Sequence, residues 1–183
     1  MVGGHFGKAV QALDHRLEAY VGERRRGNSV WGKLSIFFAR YGPIVFFAEM
    51  IGLCLLSLGS LGAIRYALYA VLTAILSAVS TKWLVDSIAA RIARLRPFVR
   101  YRYAPLLFKD ASDPSFPSNH AGGAFALATV LVCRFPAFSA FTASLAVVVA
   151  LSRLYAGLHY LSDLVSGALL GTGVAVLYLW LFR

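Results

Sequence analysis

Long, almost uncharged apolar stretches recur along the chain, and they constrain its fold more than any other feature. A helix needs about 20 mostly apolar residues to cross a bilayer, and several stretches approach that length. Most of them are joined by short links, so one domain is the simplest organisation. We therefore predict an all-α, polytopic membrane helix bundle with about five transmembrane helices. The predicted spans are residues 41–59, 66–81, 121–133, 135–152 and 164–182.

The composition excludes two other classes of protein. Hydrophobic residues make up 59% of the 183 residues and charged residues only 14%. A soluble domain is about 45–50% apolar and about 25% charged, and disordered chains are poor in apolar residues. The net charge of +10 is typical of proteins that bind nucleic acid or a membrane surface. Because the apolar runs favour the membrane, we expect membrane lipids as partners and no nucleic acid.

Two segments outside the spans stand out. Residues 1–30 form an amphipathic segment, predicted to be a helix that lies on the membrane surface or packs on the protein itself. The remaining residues, 31–183, form the membrane-embedded domain. Within it, residues 87–119 are a long polar segment rich in arginine and aromatic side chains, and long loops in compact proteins are often functional.

The number of spans predicts which polar residues meet. Two spans separate His120 from His159, so the chain returns to the side from which it started. No span separates Arg96 from His120. We therefore expect all three side chains on one face of the membrane.

Three polar clusters fall on that face. In the last one, Arg153 precedes His159 and Asp163, which are four residues apart and would share one face of a helical turn. A carboxylate beside an imidazole fixes its tautomer and stabilises its cationic form, as in activated nucleophiles and bases. Arginine supplies a donor fork suited to phosphate oxygens. An interfacial cluster of salt bridges would have the same composition.

The other two clusters also have a functional and a structural interpretation. Ser118, Asn119 and His120 precede small residues at the start of a predicted helix, where free N–H groups bind anions. The same residues would serve as a simple N-cap. The first cluster, which could also anchor lipid headgroups, comprises Arg91, Arg94 and Arg96.

Taken together, the clusters indicate a cationic pocket with two histidines. The sequence contains no zinc-type cluster of cysteine and histidine, and few acidic residues fall near the pocket. We therefore expect neither a metal nor another cofactor. Positioning and charge neutralisation carry most of a phosphoryl transfer, and this pocket suits a metal-free one.

The spacing of these residues resembles the type-2 phosphatidate phosphatase superfamily of membrane lipid phosphatases. The family signature is a lysine, six residues and Arg-Pro, then Pro-Ser-Gly-His, then Ser-Arg, five residues, His, three residues and Asp. The last block is complete here, from Ser152 to Asp163. The middle block has Asn119 in place of glycine. In the first block Arg96-Pro97 is present, but Ala89 stands where the family has lysine.

That departure makes the chain similar to the branch of bacitracin-resistance undecaprenyl-diphosphate phosphatases. The resemblance rests on Arg96-Pro97-Phe98 and on residues 113–120. It implies hydrolysis of undecaprenyl diphosphate to undecaprenyl phosphate, a reaction of cell-wall biogenesis linked to antibiotic resistance.

The resemblance also implies a role for each site residue. His159 would attack phosphorus and form a phosphohistidine, Asp163 would orient its ring, and His120 would protonate the leaving oxygen and then activate water. The expected phosphate-binding groups are Arg96, Arg153, Ser118 and the backbone at Asn119, with Arg91 or Arg94 supplying the charge of the missing lysine.

Two alternatives remain open. One is a broader lipid-phosphate phosphatase acting on phosphatidate or phosphatidylglycerophosphate, and the other is a non-enzymatic protein that binds or transports anionic lipid. Two arguments on orientation also conflict. Residues 1–40 carry seven Lys or Arg and three acids, which by the positive-inside rule would be cytoplasmic. The family resemblance implies a site on the extracytoplasmic side of the cell membrane, and we favour it.

Overall fold

A computed structural model describes residues 3–182 of the chain, and within that range the secondary structure is helical throughout. The helices in chain order are α1 Gly3–Arg24, α2 Val30–Leu56, α3 Leu61–Ile92, α4 Pro97–Arg100, α5 Asn119–Arg134, α6 Ser139–Tyr155 and α7 Leu161–Leu181, with a 3₁₀ turn at Pro136–Phe138. The predicted all-α polytopic bundle is confirmed.

Local side chains explain where several helices begin. The Ser29 hydroxyl accepts a hydrogen bond from the Gly32 N–H at 3.0 Å and caps α2. Ser60 caps α3 in the same way, with a bond of 3.1 Å from the Ala63 N–H. Serine is favoured at such positions because its oxygen satisfies an N–H group that lacks an intrahelical partner.

Four segments are long and apolar enough to cross a membrane: Val30–Leu56, Leu61–Arg100, Pro136–Tyr155 and Leu161–Leu181. The third predicted span, residues 121–133, corresponds to α5, which has only 16 residues. It packs against α3, α6 and α7, and its alanines, together with Val130 and Leu131, are buried. It runs from the loop to the opposite end of the bundle, where the Tyr66 hydroxyl donates to the Arg134 carbonyl.

The predicted polar segment is shorter than expected at its start. Residues 87–92 belong to α3, in which Lys82 and Asp86 pair one turn apart at 2.5 Å. The helix ends at Ala93, whose φ of 47° is left-handed. The loop that follows returns over the end of the bundle, and its Ser115 N–H donates to the Arg94 carbonyl at 2.8 Å.

Glycines bring α5 and α7 into backbone contact. A Cβ atom on Gly171 would lie 2.1 Å from the Gly122 carbonyl oxygen, and one on Gly167 would lie 2.4 Å from the Ser118 oxygen. Such distances leave no room for a side chain. This close approach places the first turn of α5 beside the first turns of α7, where two of the predicted clusters are found.

The substitution Gly171→Ala tests this contact. The added methyl would force α5 and α7 apart, and overpacking of this kind typically costs about 1–3 kcal/mol. We expect a lower midpoint of thermal unfolding in detergent, measured by tryptophan fluorescence. The matched control is Gly173→Ala on the same helix, where a Cβ meets nothing within 4 Å. Equal midpoints for the two variants would show that the contact is not tight.

Candidate active site

The predicted site residues surround a cavity of about 630 Å³ where the loop covers the end of the bundle. His120 from α5 and His159 from the turn before α7 both line it, as do Arg96 and Arg153. The structure therefore brings together side chains from all three sequence clusters, as the count of spans predicts.

His159 is buried and held in one orientation by two contacts. Its Nδ1 lies 2.8 Å from the Ser115 carbonyl oxygen, and its Nε2 lies 3.1 Å from NH1 of Arg96. A carbonyl and a guanidinium are obligatory acceptor and donor, respectively. The neutral ring must therefore carry its proton on Nδ1, and its Nε2 lone pair faces Arg96 at the cavity.

Asp163 supports this arrangement, but not through a helical turn shared with His159. Because α7 begins only at Leu161, His159 precedes the helix, and the two residues are not stacked on one helical face as predicted. Oδ2 of Asp163 accepts from the Tyr160 N–H at 2.9 Å and from the Ser115 hydroxyl. It lies 3.7 Å from Nδ1 of His159, which is an ion-pair distance rather than a hydrogen bond.

Arg96 ties the loop to the turn that carries His159. It is 5% exposed, and its guanidinium donates to the carbonyls of Asp113 at 3.1 Å, Pro114 at 3.0 Å and Leu158 at 2.9 Å. Together with the contact to His159, these bonds fix the plane of the guanidinium at the cavity.

Arg153 enters the same cavity from the end of α6. Its NH1 donates to the Ala39 carbonyl of α2 at 2.8 Å. Its buried Nε has no hydrogen-bond partner among the described residues. A buried donor without a partner is costly, so this group is suited to an anion that enters the cavity.

The cluster of Ser118, Asn119 and His120 forms the start of α5. Ser118 is the N-cap, and its own N–H donates to the Asp163 carbonyl at 3.0 Å. Asn119 and His120 follow in the first turn and line the cavity. The Asn119 side chain is already engaged, since its Nδ2 lies 2.5 Å from Oδ1 of Asp86. The backbone N–H groups at this helix start are therefore the groups of the cluster that could bind an anion.

The structure places Arg91 and Arg94 away from the cavity. Arg91 is exposed near the end of α3. Arg94 lies behind Asp163, with NH1 2.6 Å from Oδ1 of that carboxylate. We expected one of these arginines to supply the charge of the missing family lysine, but neither guanidinium lies where it could do so.

Two lysines that the sequence analysis did not single out do line the cavity, Lys82 and Lys109. Lys82 pairs with Asp86, and Lys109 pairs with Asp113. Lys82 precedes Ala89 by seven residues, about two turns of α3, so helical spacing could have found it. Lys109 has no such signal, because the loop conformation alone brings it to the cavity.

Burial sets the protonation state of both histidines. Burial lowers the pKa of His159 to about 4, against the opposing effect of the Asp163 carboxylate. Burial also lowers the pKa of His120 to about 3, and the nearby Arg153 guanidinium acts in the same direction. Both rings are therefore neutral near pH 7, and an anion in the cavity would favour protonation of His120.

The site and fold together define a class: a multi-pass membrane protein with a histidine-bearing cationic cavity at one end of its helical bundle. The family model described as the PAP2 superfamily matches residues 63–183, more than half of the chain, and the protein belongs to this superfamily. The superfamily predicted from the motifs is thereby confirmed. The narrower assignment to the bacitracin-resistance branch stays a prediction.

Comparisons with individual proteins agree with this family. A lipid A 4'-phosphatase from Bacteroides thetaiotaomicron is 47% identical over 58 residues, which cover 31% of this chain and 26% of that protein. The chain thus matches about a quarter of that relative's length.

Two solved structures share the fold. One is a transmembrane PAP2-type phosphatidylglycerolphosphate phosphatase from Bacillus subtilis, with a TM-score of 0.67, 21% identity, and coverage of 96% of this chain and 90% of that one. The other is Aquifex aeolicus LpxE, with a TM-score of 0.61, 22% identity, and coverage of 90% and 93%.

The environment of His159 predicts its titration. We expect its imidazole to stay neutral down to about pH 5 and to protonate with a midpoint near 4, because burial disfavours the cation. The same spectra should show the tautomer with the proton on Nδ1. The measurement is the ¹⁵N chemical shift of labelled histidines in detergent, with the signal assigned by loss in His159→Gln. A midpoint between 6 and 7 would contradict the burial described here.

Proposed function

We propose that this protein is an integral membrane hydrolase that removes the terminal phosphate of a lipid phosphate through a phosphohistidine intermediate on His159, without a metal ion. The observation that carries the proposal is the orientation of His159, whose two contacts favour the tautomer with the proton on Nδ1. Its Nδ1 faces the Ser115 carbonyl, and its Nε2 lies at the cavity beside Arg96. A protein that only binds anionic lipid needs the arginines, but has no use for an oriented imidazole.

In the first step, Nε2 of His159 attacks the terminal phosphorus. NH1 of Arg96 then donates to a phosphoryl oxygen instead of to His159. The unpartnered Nε of Arg153 donates to another phosphoryl oxygen. A P–N bond forms as the bond to the lipid oxygen breaks. The imidazole becomes cationic, and the Asp163 carboxylate at 3.7 Å stabilises that charge.

His120 acts as the general acid in the first step and as the general base in the second. The negative charge of the bound substrate raises the affinity of this ring for a proton, which it then donates to the leaving oxygen. The neutral ring left behind accepts a proton from the attacking water in the second step. The P–N bond breaks, inorganic phosphate leaves, and His159 is regenerated.

The cavity wall favours a lipid substrate. Away from the arginines, the cavity is lined by apolar side chains from α2, α5 and α6, including Phe46, Leu127 and Val149. An acyl or prenyl chain could lie along these residues while the phosphate reaches the cationic end. Burial of apolar area would then contribute to binding.

For the substrate, we propose a polyprenyl diphosphate such as undecaprenyl diphosphate. The cavity holds four cationic side chains, namely Arg96, Arg153, Lys82 and Lys109, against the carboxylates of Asp86 and Asp113. These four groups together could contact the oxygens of both phosphates of a diphosphate. A lipid diphosphate also expels a phosphate monoester, which is a better leaving group than an alkoxide.

A second candidate substrate is a phosphorylated glycolipid. It is favoured by the 47% identity to a lipid A 4'-phosphatase, although that match spans only 58 residues. Phosphatidate and phosphatidylglycerophosphate are broader alternatives that the same phosphate-binding groups could accept.

We further propose that the site faces the extracytoplasmic side. The active-site arginines are explained by chemistry, and the positive charges of the N-terminal helix by contact with the protein and with anionic lipid. These residues therefore need not mark the cytoplasmic face. Labelling of single cysteines introduced at Ser29 and Ser112, with an impermeant thiol reagent on intact cells, tests the orientation. Labelling only after lysis would contradict it.

Phosphate release by the purified protein tests the proposed function. We expect turnover of undecaprenyl diphosphate with a higher kcat/KM than for phosphatidate, phosphatidylglycerophosphate or lipid A. Activity should persist in a chelator, because the proposed mechanism uses no metal. His159→Gln should abolish it, and Arg96→Gln should lower kcat by about 100-fold or more, as loss of a transition-state donor generally does.

The matched control is Arg100→Gln, an exposed arginine outside the cavity, which should retain wild-type turnover. A preference for lipid A would select the second candidate substrate. Full activity of His159→Gln, or release of no phosphate from any of the four lipids, would contradict the proposed function.

A further inference from the structure

The N-terminal helix α1 buries two of its three acidic side chains and exposes two of its large apolar ones. Asp14 and Glu18 are 2% and 4% exposed, whereas Leu13 and Tyr20 are 51% and 58% exposed. For these four side chains the pattern is the reverse of that in an amphipathic helix packed on a protein core. Burial of a carboxylate is costly unless it is paired, so the partners of these two acids explain where α1 lies.

Asp14 binds the start of α7 directly. Its Oδ1 accepts from the Ser162 N–H at 3.0 Å, and its Oδ2 accepts from the Ser162 hydroxyl at 2.5 Å. Ser162 is the second residue of α7, where N–H groups have no intrahelical acceptor. A carboxylate at a helix N-terminus is also favoured by the helix dipole. Asp14 thus serves as a cap supplied from a helix nearly 150 residues earlier in the chain.

Asp14 also holds Arg94. Its Oδ2 lies 2.8 Å from NH2 of Arg94, while NH1 of the same guanidinium lies 2.6 Å from Oδ1 of Asp163 and 2.7 Å from the Ser162 hydroxyl. The guanidinium also stacks 4.0 Å from the centre of the Tyr160 ring. Its side chain is 23% exposed, so without Asp14 it would have room to turn towards solvent.

The chain of contacts continues to the nucleophile. Asp163 is fully buried and accepts a hydrogen bond from the Ser115 hydroxyl. The backbone carbonyl of Ser115 in turn orients Nδ1 of His159. A displaced Arg94 would leave Oδ1 of Asp163 without its charged partner and allow the carboxylate to rotate. The loop segment at Ser115 would then lose its support.

We propose that Asp14 is a positioning residue of the active site, which clamps Arg94 against Asp163 and thereby fixes the Ser115–His159 pair. This inference rests on the proposed function, because it assigns α1 a part in the same reaction. Asp14 touches neither the cavity nor His159, and it acts only through Arg94 and the first turn of α7.

Arg94 pairs with the carboxylates of both Asp14 and Asp163, and this explains why the residue at position 14 needs a negative charge. If Arg94 were paired with Asp163 alone, its positive charge would offset the field that stabilises the phosphorylated His159. With Asp14 on the other side of the guanidinium, the three-residue group keeps a net negative charge. That charge favours the cationic imidazole that forms in the first step.

The test compares Asp14→Asn with Glu18→Gln, both on α1. Glu18 is a matched control because it is equally buried and also anchors α1, with Oε1 2.8 Å from NH2 of Arg25 and 2.6 Å from the Tyr103 hydroxyl. We expect Asp14→Asn to lower kcat by about 10-fold or more with less than a twofold change in KM, because even a small misplacement of the reacting group by a distant mutation slows the chemical step. Glu18→Gln should leave both close to wild type.

A second measurement separates positioning from turnover. The ¹⁵N signals of His159 should shift or broaden in Asp14→Asn and remain unchanged in Glu18→Gln, because only the first variant releases Arg94. Equal kinetic effects of the two variants would show that Asp14 is merely an anchor, and would overturn the proposal. Unchanged His159 signals in Asp14→Asn would overturn it as well, whether or not the wild-type protein hydrolyses any of the four lipids.

Discussion

The buried carboxylate of Asp163 is the contact on which the rest of the site depends. It accepts hydrogen bonds from the Tyr160 N–H before α7 and from the Ser115 hydroxyl of the loop, and it pairs with Arg94 just after α3. A fully buried anion left without a partner would cost about 3–5 kcal/mol, so the loop and the two helix ends are held where they meet it. The orientation of His159 follows from that arrangement rather than from a direct hydrogen bond to Asp163.

The bundle brings the two histidines together through backbone packing. Gly122 of α5 lies against Gly167 and Gly171 of α7 at a separation that excludes any side chain. On the N-terminal side of this contact, the Ser118 N–H reaches the Asp163 carbonyl at 3.0 Å. The N-terminal turn of α5, with His120, is thereby fixed beside the turn that carries His159. Helix packing and anion binding use the same small residues.

Much of this could be predicted from the sequence. Apolar run length gives the bundle, and the parity of spans gives the meeting of Arg96, His120 and His159, because both depend only on local composition and chain order. Family spacing indicates Arg153 and Asp163 as partners of the same site. The predicted span 121–133 corresponds to a 16-residue helix that runs through the bundle and is enclosed by its neighbours, and a buried helix can be as apolar as one exposed to lipid.

The remainder could not be predicted because it depends on contacts between distant residues. Asp14 meets Ser162 across 148 positions, and the polar spacing of α1 alone is compatible with a helix lying in the membrane interface. Lys109 and the Ser115 carbonyl reach the site through an irregular loop that has no periodicity to interpret. Arg94, expected to bind phosphate, instead pairs with two carboxylates, Asp14 and Asp163, of which the sequence analysis considered only one as a site residue.

The central claim is that His159 becomes covalently phosphorylated. It is tested most directly by mixing the purified protein with a polyprenyl diphosphate radiolabelled at its terminal phosphate, quenching in alkali, and mapping the label by mass spectrometry. The account predicts an acid-labile, alkali-stable phosphate on His159 that is absent from His159→Gln and accumulates in His120→Ala, where water activation is lost. Phosphate release without any labelled protein in His120→Ala, or a label on another residue, would contradict it.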